Sequence, residues 1–185
     1  MKKGKRLLIL LMVVVVFSVG AYLLNLSAKQ QEAAKQAAQE SAKTVLLTNN
    51  ADDTTALSFT HGNQTVDLAR KDGKWVYTPR ESFALDSTKV TNLLGDLKTV
   101  ESIRTVTDTS DSAAEYGLST PSVVISVTSK NGKAQKISIG DKNAVNGNYY
   151  AAVDGKAGIY TISSDLYNAF SVNLTSLLTD EAFPV

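Results

Sequence analysis

A chain of 185 residues without a cysteine has one histidine, its carboxylates, its hydroxyls and its aromatic rings with which to do chemistry. Thiolate nucleophiles, disulfides, iron–sulfur clusters and cysteine zinc sites are excluded by composition. His61 stands beside Gly62 and Asn63, where a hairpin turn is expected. A multi-histidine metal site and a histidine-based nucleophilic triad both lack their parts, and a solvated turn histidine is the reading. Asp52 and Asp53, and further on Asp108, Ser110 and Asp111, offer oxygen ligands to calcium, but neither group follows the twelve-residue loop with its terminal glutamate, so cap and loop roles are expected. Ser87 and Lys89 sit two positions apart on a predicted helix and cannot face each other as a Ser–Lys dyad would. Residues 44–185 hold 16 carboxylates, yet no two are singled out as a glycosidase pair. Gly140, Gly147 and Gly155 fall in expected hairpin turns and no Walker-type loop accompanies them. No catalytic, cofactor or metal residue is assigned.

Charge narrows the partners. Residues 44–185 carry 12 Lys plus Arg against 16 Asp plus Glu, a net of −4, which opposes nucleic-acid binding and tight docking on anionic lipid. Four rings on predicted strands, Trp75, Tyr149, Tyr150 and Tyr160, form the candidate binding surface, an aromatic platform for a glycan or peptide. Strand aromatics equally serve as core filling and cross-strand pairs.

The elements that must position these residues begin outside the domain. Leu7–Leu26 is an uncharged apolar run interrupted by Ser18, Gly20, Tyr22 and Asn25. About 20 residues at ~1.5 Å rise span a ~30 Å hydrocarbon core. Lys2, Lys3, Lys5 and Arg6 precede the run and hold residues 1–6 in the cytoplasm, so the C-terminal part is expected outside the cell membrane. The same order of charge and apolar residues occurs in cleaved signal peptides, with Ser27-Ala28 near a cut. The run exceeds the usual core of about 7–15 residues and no clean Ala-x-Ala follows, so a retained single-pass anchor is expected. Residues 27–43 are rich in Ala, Gln, Lys and Glu with neither Pro nor Gly, the composition of a solvated helical stalk. Its alanines lack the Leu or Ile at a and d that would hold a coiled coil.

From Thr44 onward the period becomes alternating. Strands are expected over 44–47, 56–60, 65–69 and 74–78, with Lys71-Asp72-Gly73 as a hairpin signal. Asp86 reads as the cap of a helix, with Leu85 and Val90 as its hydrophobic staple. Val90, Leu93, Leu94, Leu97 and Val100 form one apolar stripe, and Gly95 reads as a point of close approach. A second block repeats the order: strands over 123–128, 135–139, 149–153 and 159–162, then Ser163-Ser164-Asp165 leading into a helix over 166–170. Asp72-Gly73-Lys74 before Tyr77-Thr78 is echoed by Asp154-Gly155-Lys156 before Tyr160-Thr161, which suggests two related halves. The fold class is α+β, antiparallel meanders with packed helices, filling one extracytoplasmic domain over 44–185. Between the blocks, Ser112 and Glu115 fit the capping box of a short helix stopped at Gly117, and Pro121 opens the next strand.

This connector, Ala114-Glu115-Tyr116-Gly117-Leu118-Ser119-Thr120-Pro121, preceded by Trp75, Tyr77 and Pro79 and followed by Ile139-Gly140 and Tyr149-Tyr150-Ala151, resembles the bacterial family called domain of unknown function 4340. The likeness runs from about Trp75 to Leu178, room for about one family unit. It implies an envelope domain tethered by one N-terminal helix and associated with ABC-type export or gliding-associated transporters. It carries over no catalytic residue. Tyr116, Gly117, Leu118, Pro121 and Gly140 are its motif residues, and the glycines, Leu118 and Pro121 look like backbone and packing determinants. The function expected is a non-enzymatic accessory or binding module of an ABC-type transport system that contacts a permease. A scaffold for cell-wall polymer or peptide, and a hydrolase with an unrecognised carboxylate site, are the alternatives.

Overall fold

The computed structural model describes residues 43–106 and 113–179, which belong to a unit spanning Ala42–Val185. The expected cytoplasmic tail, the span over 7–26, nearly all of the stalk over 27–43, and Asp108, Ser110 and Asp111 lie outside the described residues. Among the described residues no helix is long and apolar enough to cross a membrane.

The fold is α+β. In chain order it runs β1 (Val45–Thr48), a 3-10 turn (Ala51–Asp53), β2 (Thr54–His61), β3 (Gln64–Lys71), β4 (Lys74–Tyr77), α1 (Ser87–Asp96), β5 (Thr99–Glu101), β6 (Arg104–Val106), β7 (Val123–Ser129), β8 (Ala134–Lys142), β9 (Tyr149–Val153), β10 (Ile159–Ile162), α2 (Ser164–Phe170) and a final 3-10 turn (Leu174–Leu177). Eight strands form one antiparallel sheet in the order β4-β3-β2-β7-β8-β9-β10-β6, and β1 pairs with β5 in a separate ribbon. Both hairpin echoes close as turns. Asp72 and Gly73 take φ of 49° and 79°, the left-handed pair that suits a two-residue hairpin. The Asp72-Gly73 turn joins β3 to β4 and the Asp154-Gly155 turn precedes β10. Counted outward from the β2–β7 pair, where the two blocks meet, the two echoes stand at different places in the sheet.

Alternation along the strands puts Leu57 and Phe59 of β2, Ile125 of β7 and Ile137 of β8 on one fully buried face. Both helices contribute apolar residues to this core. Asp86 caps α1 as expected, its carboxylate accepting from the Thr88 and Lys89 amides at 2.9 and 3.3 Å. Val90, Leu93, Leu94 and Leu97 are buried. Val100, expected on the same helical stripe, lies instead on β5, because α1 ends at Asp96 and the chain re-enters an extended conformation. Gly95 is not a point of close approach, since beyond its chain neighbours and its own helix backbone no heavy atom comes within 4 Å of the place its Cβ would occupy. A glycine there forgoes about 0.5–1 kcal/mol of helix stability relative to alanine. Ser163 caps α2, whose Phe170 meets the Phe59 ring edge-on at 5.4 Å and 80°. The final segment straps the entry to α1: the Asp86 amide donates to the Leu177 carbonyl at 2.8 Å, and the Lys89 ammonium to the Leu178 carbonyl at 3.2 Å.

Candidate functional site

One end of the large sheet gathers the chain's most distinctive residues. There β2 finishes at His61 opposite Val123 of β7, β7 begins opposite Ile139 of β8, and Lys142 at the end of β8 faces Tyr149 at the start of β9. The connector into β7 arrives at the same end. Its turn closes as a Schellman stop: the Leu118 amide donates to the Ala113 carbonyl at 2.7 Å and the Gly117 amide to Ala114 at 3.2 Å, with Gly117 at φ 69°. The described part, 113–117, is a hydrogen-bonded turn rather than a helix.

The turn is clasped to β8. The Asp141 amide donates to the Tyr116 carbonyl at 2.8 Å. A Cβ on Gly140 would stand 2.1 Å from that carbonyl oxygen, and a Cβ on Gly117 would stand 2.5 Å from Asp141 Oδ1. Two glycines far apart in sequence therefore face each other because neither backbone leaves room for a side chain. Ser122 Oγ, just after Pro121, donates to the Ile139 and Gly140 carbonyls at 3.1 and 2.9 Å and fixes the entry to β7.

Aromatic rings border the clasp on both faces of the sheet. Tyr116 packs on Tyr150 with centroids 4.4 Å apart and planes tilted by 52°, and Asn143 Nδ2 donates to the Tyr150 hydroxyl at 2.8 Å. Tyr149, next in sequence, points to the opposite face and stacks on Tyr167 of α2 at 4.0 Å and 9°. Burial, and secondarily the neighbouring Tyr149 phenol, raise the Tyr167 pKa. His61, expected as a solvated turn residue, ends β2 half-buried with its ring edge-on to Tyr167 at 6.1 Å. Val145, in the loop between β8 and β9, is 95% exposed at this end.

The four rings expected as one platform are divided. Tyr149 and Tyr150 share the sheet end but not the face. Trp75 lies on edge strand β4, paired with Arg70 near the opposite end. Tyr160 is 6% exposed, with its hydroxyl turned back to the Ala157 carbonyl at 2.6 Å. Tyr116, expected as a motif residue, is one of the rings, and Tyr167 and His61 join without having been singled out for the site. The signal for Tyr167 was faint, one partly buried aromatic beside Leu166 in a seven-residue helix. Ser87 and Lys89 form no dyad, since the lysine is engaged at Leu178 and stands 4.0 Å from Asp86. Asp53 accepts from Asn50 at 2.9 Å and lies 3.6 Å from Lys130, a loop role. Among the described residues no group of three His, Asp or Glu is placed to hold a metal ion.

The clasp residues fall inside a stretch that matches a known family: residues 75–185 match the one described as Domain of unknown function (DUF4340). The chain belongs to this family. No curated protein and no solved structure matches it. In this DUF4340 chain the motif residues Tyr116, Gly117 and Gly140 form the backbone contact, with Ser122 fastening the segment that follows Pro121. The motif therefore sets where Tyr116 and Tyr150 meet, and its direct chemistry is packing.

Proposed function

We propose that this DUF4340 chain is a membrane-anchored extracytoplasmic accessory module of an ABC-type transport system, acting without catalysis through protein contacts made by the aromatic end of its sheet. The observation that carries the reading is the convergence there of two half-buried ring pairs, Tyr116–Tyr150 and Tyr149–Tyr167, beside the exposed Val145. Tyrosines with an apolar body and a polar tip are favoured at protein contacts, and aromatic anchors at a patch centre dominate binding energy. The N-terminal basic cluster and apolar run supply the tether and its orientation. The test is crosslinking of the intact protein in native membranes, with mass spectrometry of the captured species. The control carries the same anchor and stalk without residues 44–185. Recovery of a permease only when the domain is present supports the role, and loss of that capture in a Tyr150→Ala, Val145→Asp variant assigns it to this end. Capture of no transport component refutes it.

The half-buried tyrosine pairs also favour a second reading, a scaffold that binds cell-wall polymer or peptide. Retention of the protein on isolated cell wall, without any transporter, would put that reading first.

A further inference from the structure

Strand β3 outlasts its outer neighbour. It runs from Gln64 to Lys71, whereas β4 pairs only with Leu68–Lys71. The two-residue turn at Asp72-Gly73 makes Lys71 and Lys74 a mutually bonded pair, so every second residue of β3 counted back from Lys71 turns its N–H and C=O outward: Ala69, Asp67 and Thr65. Asp67 is the last of these to be met, its carbonyl accepting from the Thr78 amide at 2.9 Å. Pro79 has no N–H to offer, and the chain turns away there, the Arg80 amide donating to the Tyr77 carbonyl at 3.1 Å. The N–H and C=O of Thr65 are left facing out, and among the described residues no loop backbone pairs with them. Exposed edges are ordinarily guarded by lysine, proline or a bulge. β4 begins with Lys74 and is followed by Thr78-Pro79, but Gln64–Val66 has none of these guards and its register with β2 is unbroken.

A cleft of about 270 Å³ opens beside this gap. Gln64, Val66 and Tyr77 line it from the sheet, and Asn173, Leu174 and Thr175 from the final 3-10 turn and its cap. Pockets for whole small molecules measure about 300–1,000 Å³, so this one has the size of a side-chain subsite. Strand geometry explains its position. A segment paired with Thr65 would carry its paired side chain on the face of Thr65, and the residues on either side of that position would point to the face of Gln64 and Val66, into the cleft. The open backbone and the cleft are therefore two parts of one site.

The lining selects the side chain. Val66 is 1% exposed, and Tyr77 and Leu174 pack against the core, which gives an apolar floor. No lining residue is charged. The neighbouring charges are engaged elsewhere: Asp67 Oδ1 accepts from the Ser58 hydroxyl at 2.6 Å on the other face of the sheet, and the Arg80 guanidinium lies 4.9 Å from the centre of the Phe83 ring. At the exposed rim, Gln64, Asn173 and Thr175 offer amides and a hydroxyl that suit a peptide backbone.

We propose that this edge binds an extended, uncharged peptide segment of a partner protein, which exchanges backbone hydrogen bonds with Thr65 and places an apolar side chain in the cleft. Strand addition of this kind takes its affinity from the main chain and its specificity from the pocket. The site does not rest on the transport reading above, and its failure would leave that reading intact.

The test titrates the full-length chain in nanodiscs with acetyl-leucyl-threonyl-leucine amide, followed by NMR. Saturable binding is expected, roughly millimolar or tighter for a peptide of this size. The Thr65 amide should exchange with deuterium at least about tenfold more slowly at saturation, since a solvated donor has become a paired one. Methylating the threonine nitrogen of the peptide removes one of the two backbone bonds without touching the protein and should weaken binding at least about tenfold. The peptide with both leucines replaced by aspartate should lose at least as much. Thr65→Pro removes the outward N–H, keeps the ladder to β2, and should melt close to the parent while binding at least about tenfold more weakly. Thr65→Val keeps the backbone groups and should bind within about threefold of the parent. Failure of the leucine peptide to bind, an unprotected Thr65 amide, or parent-like binding of the methylated peptide would each overturn the proposal. So would saturable binding of chitobiose in place of the peptide, which gives the cleft to a glycan, or protection of Thr65 that rises with protein concentration alone, which gives the edge to a second copy.

Discussion

Replacing Gly140 with alanine adds a single methyl group, and the geometry says where it goes. The new Cβ would stand 2.1 Å from the Tyr116 carbonyl oxygen and 3.0 Å from the Gly117 carbonyl carbon. Since β8 is paired to both β7 and β9 at Ile139 and the Gly140 carbonyl is held by Ser122 Oγ at 2.9 Å, the connector must give way. Lifting it breaks the 2.8 Å hydrogen bond from the Asp141 amide, about 0.5–1.5 kcal/mol net. It also parts the Tyr116–Tyr150 pair, worth about 0.5–1.5 kcal/mol beyond its burial. The expected loss is about 1–3 kcal/mol, which for a domain of this size lowers the melting temperature by roughly 3–12 °C. Calorimetry on Gly140→Ala measures it. The same substitution in a Tyr116→Ala background should cost less, because the ring pair is already gone and only the backbone contact is left to lose. A Gly140→Ala protein that melts within a degree of the parent would refute the clasp as a stabilising contact, as would full additivity in the cycle.

Asp86→Ala should destabilise the domain by about 1 kcal/mol, since two amides of the first turn of α1 lose their acceptor, and chemical denaturation will report it. Phe170→Ala, emptying a fully buried site against Phe59, should cost about 3–5 kcal/mol by the same measurement. Asp96 has its pKa raised above the ordinary 3.8, first by burial and then by the charge of Asp165. The native state therefore holds this proton more readily than the unfolded chain, so its contribution to stability is fullest below 3.8 and is lost as pH rises through the raised value. Asp96→Asn should accordingly raise the melting temperature at pH 7 and leave it unchanged at the acid end, a comparison read from thermal melts across pH.

Much of the secondary structure was legible because the local signals were dense. The bounds of β9 and β10 are those the alternation predicts, and Asp86 caps α1 where its type and the following stripe place it. Strands β5 and β6 escaped notice because three residues cannot display a period, and Val100 fits a helical stripe as well as a strand. Sheet order was hidden for a different reason: alternation tells which face a residue occupies, while the neighbour of a strand depends on long-range packing. The candidate site shows the same division. Gly117 and Gly140 announced a backbone demand through their residue type, but their meeting depends on the connector returning to the end of β8. Trp75 and Tyr149 look alike in the sequence and are separated by most of the sheet's width.

The β2–β7 pair, which joins the two blocks of the sheet, implies an order of assembly. Its partners are more than sixty positions apart in the chain, so the pair can form only after the helix and the connector have been made, and contacts of that range slow folding. The β2–β3–β4 hairpins are complete much earlier and wait with the inner edge of β2 open, its amides and carbonyls unpaired. An open edge of eight residues is a template for any extended segment, including β7 of a neighbouring copy. At high concentration the kinetic hazard of this fold is therefore an exchanged dimer in which each β2 receives the other chain's β7, and the clasp, which delivers β7 to its own sheet, is the element that competes against it.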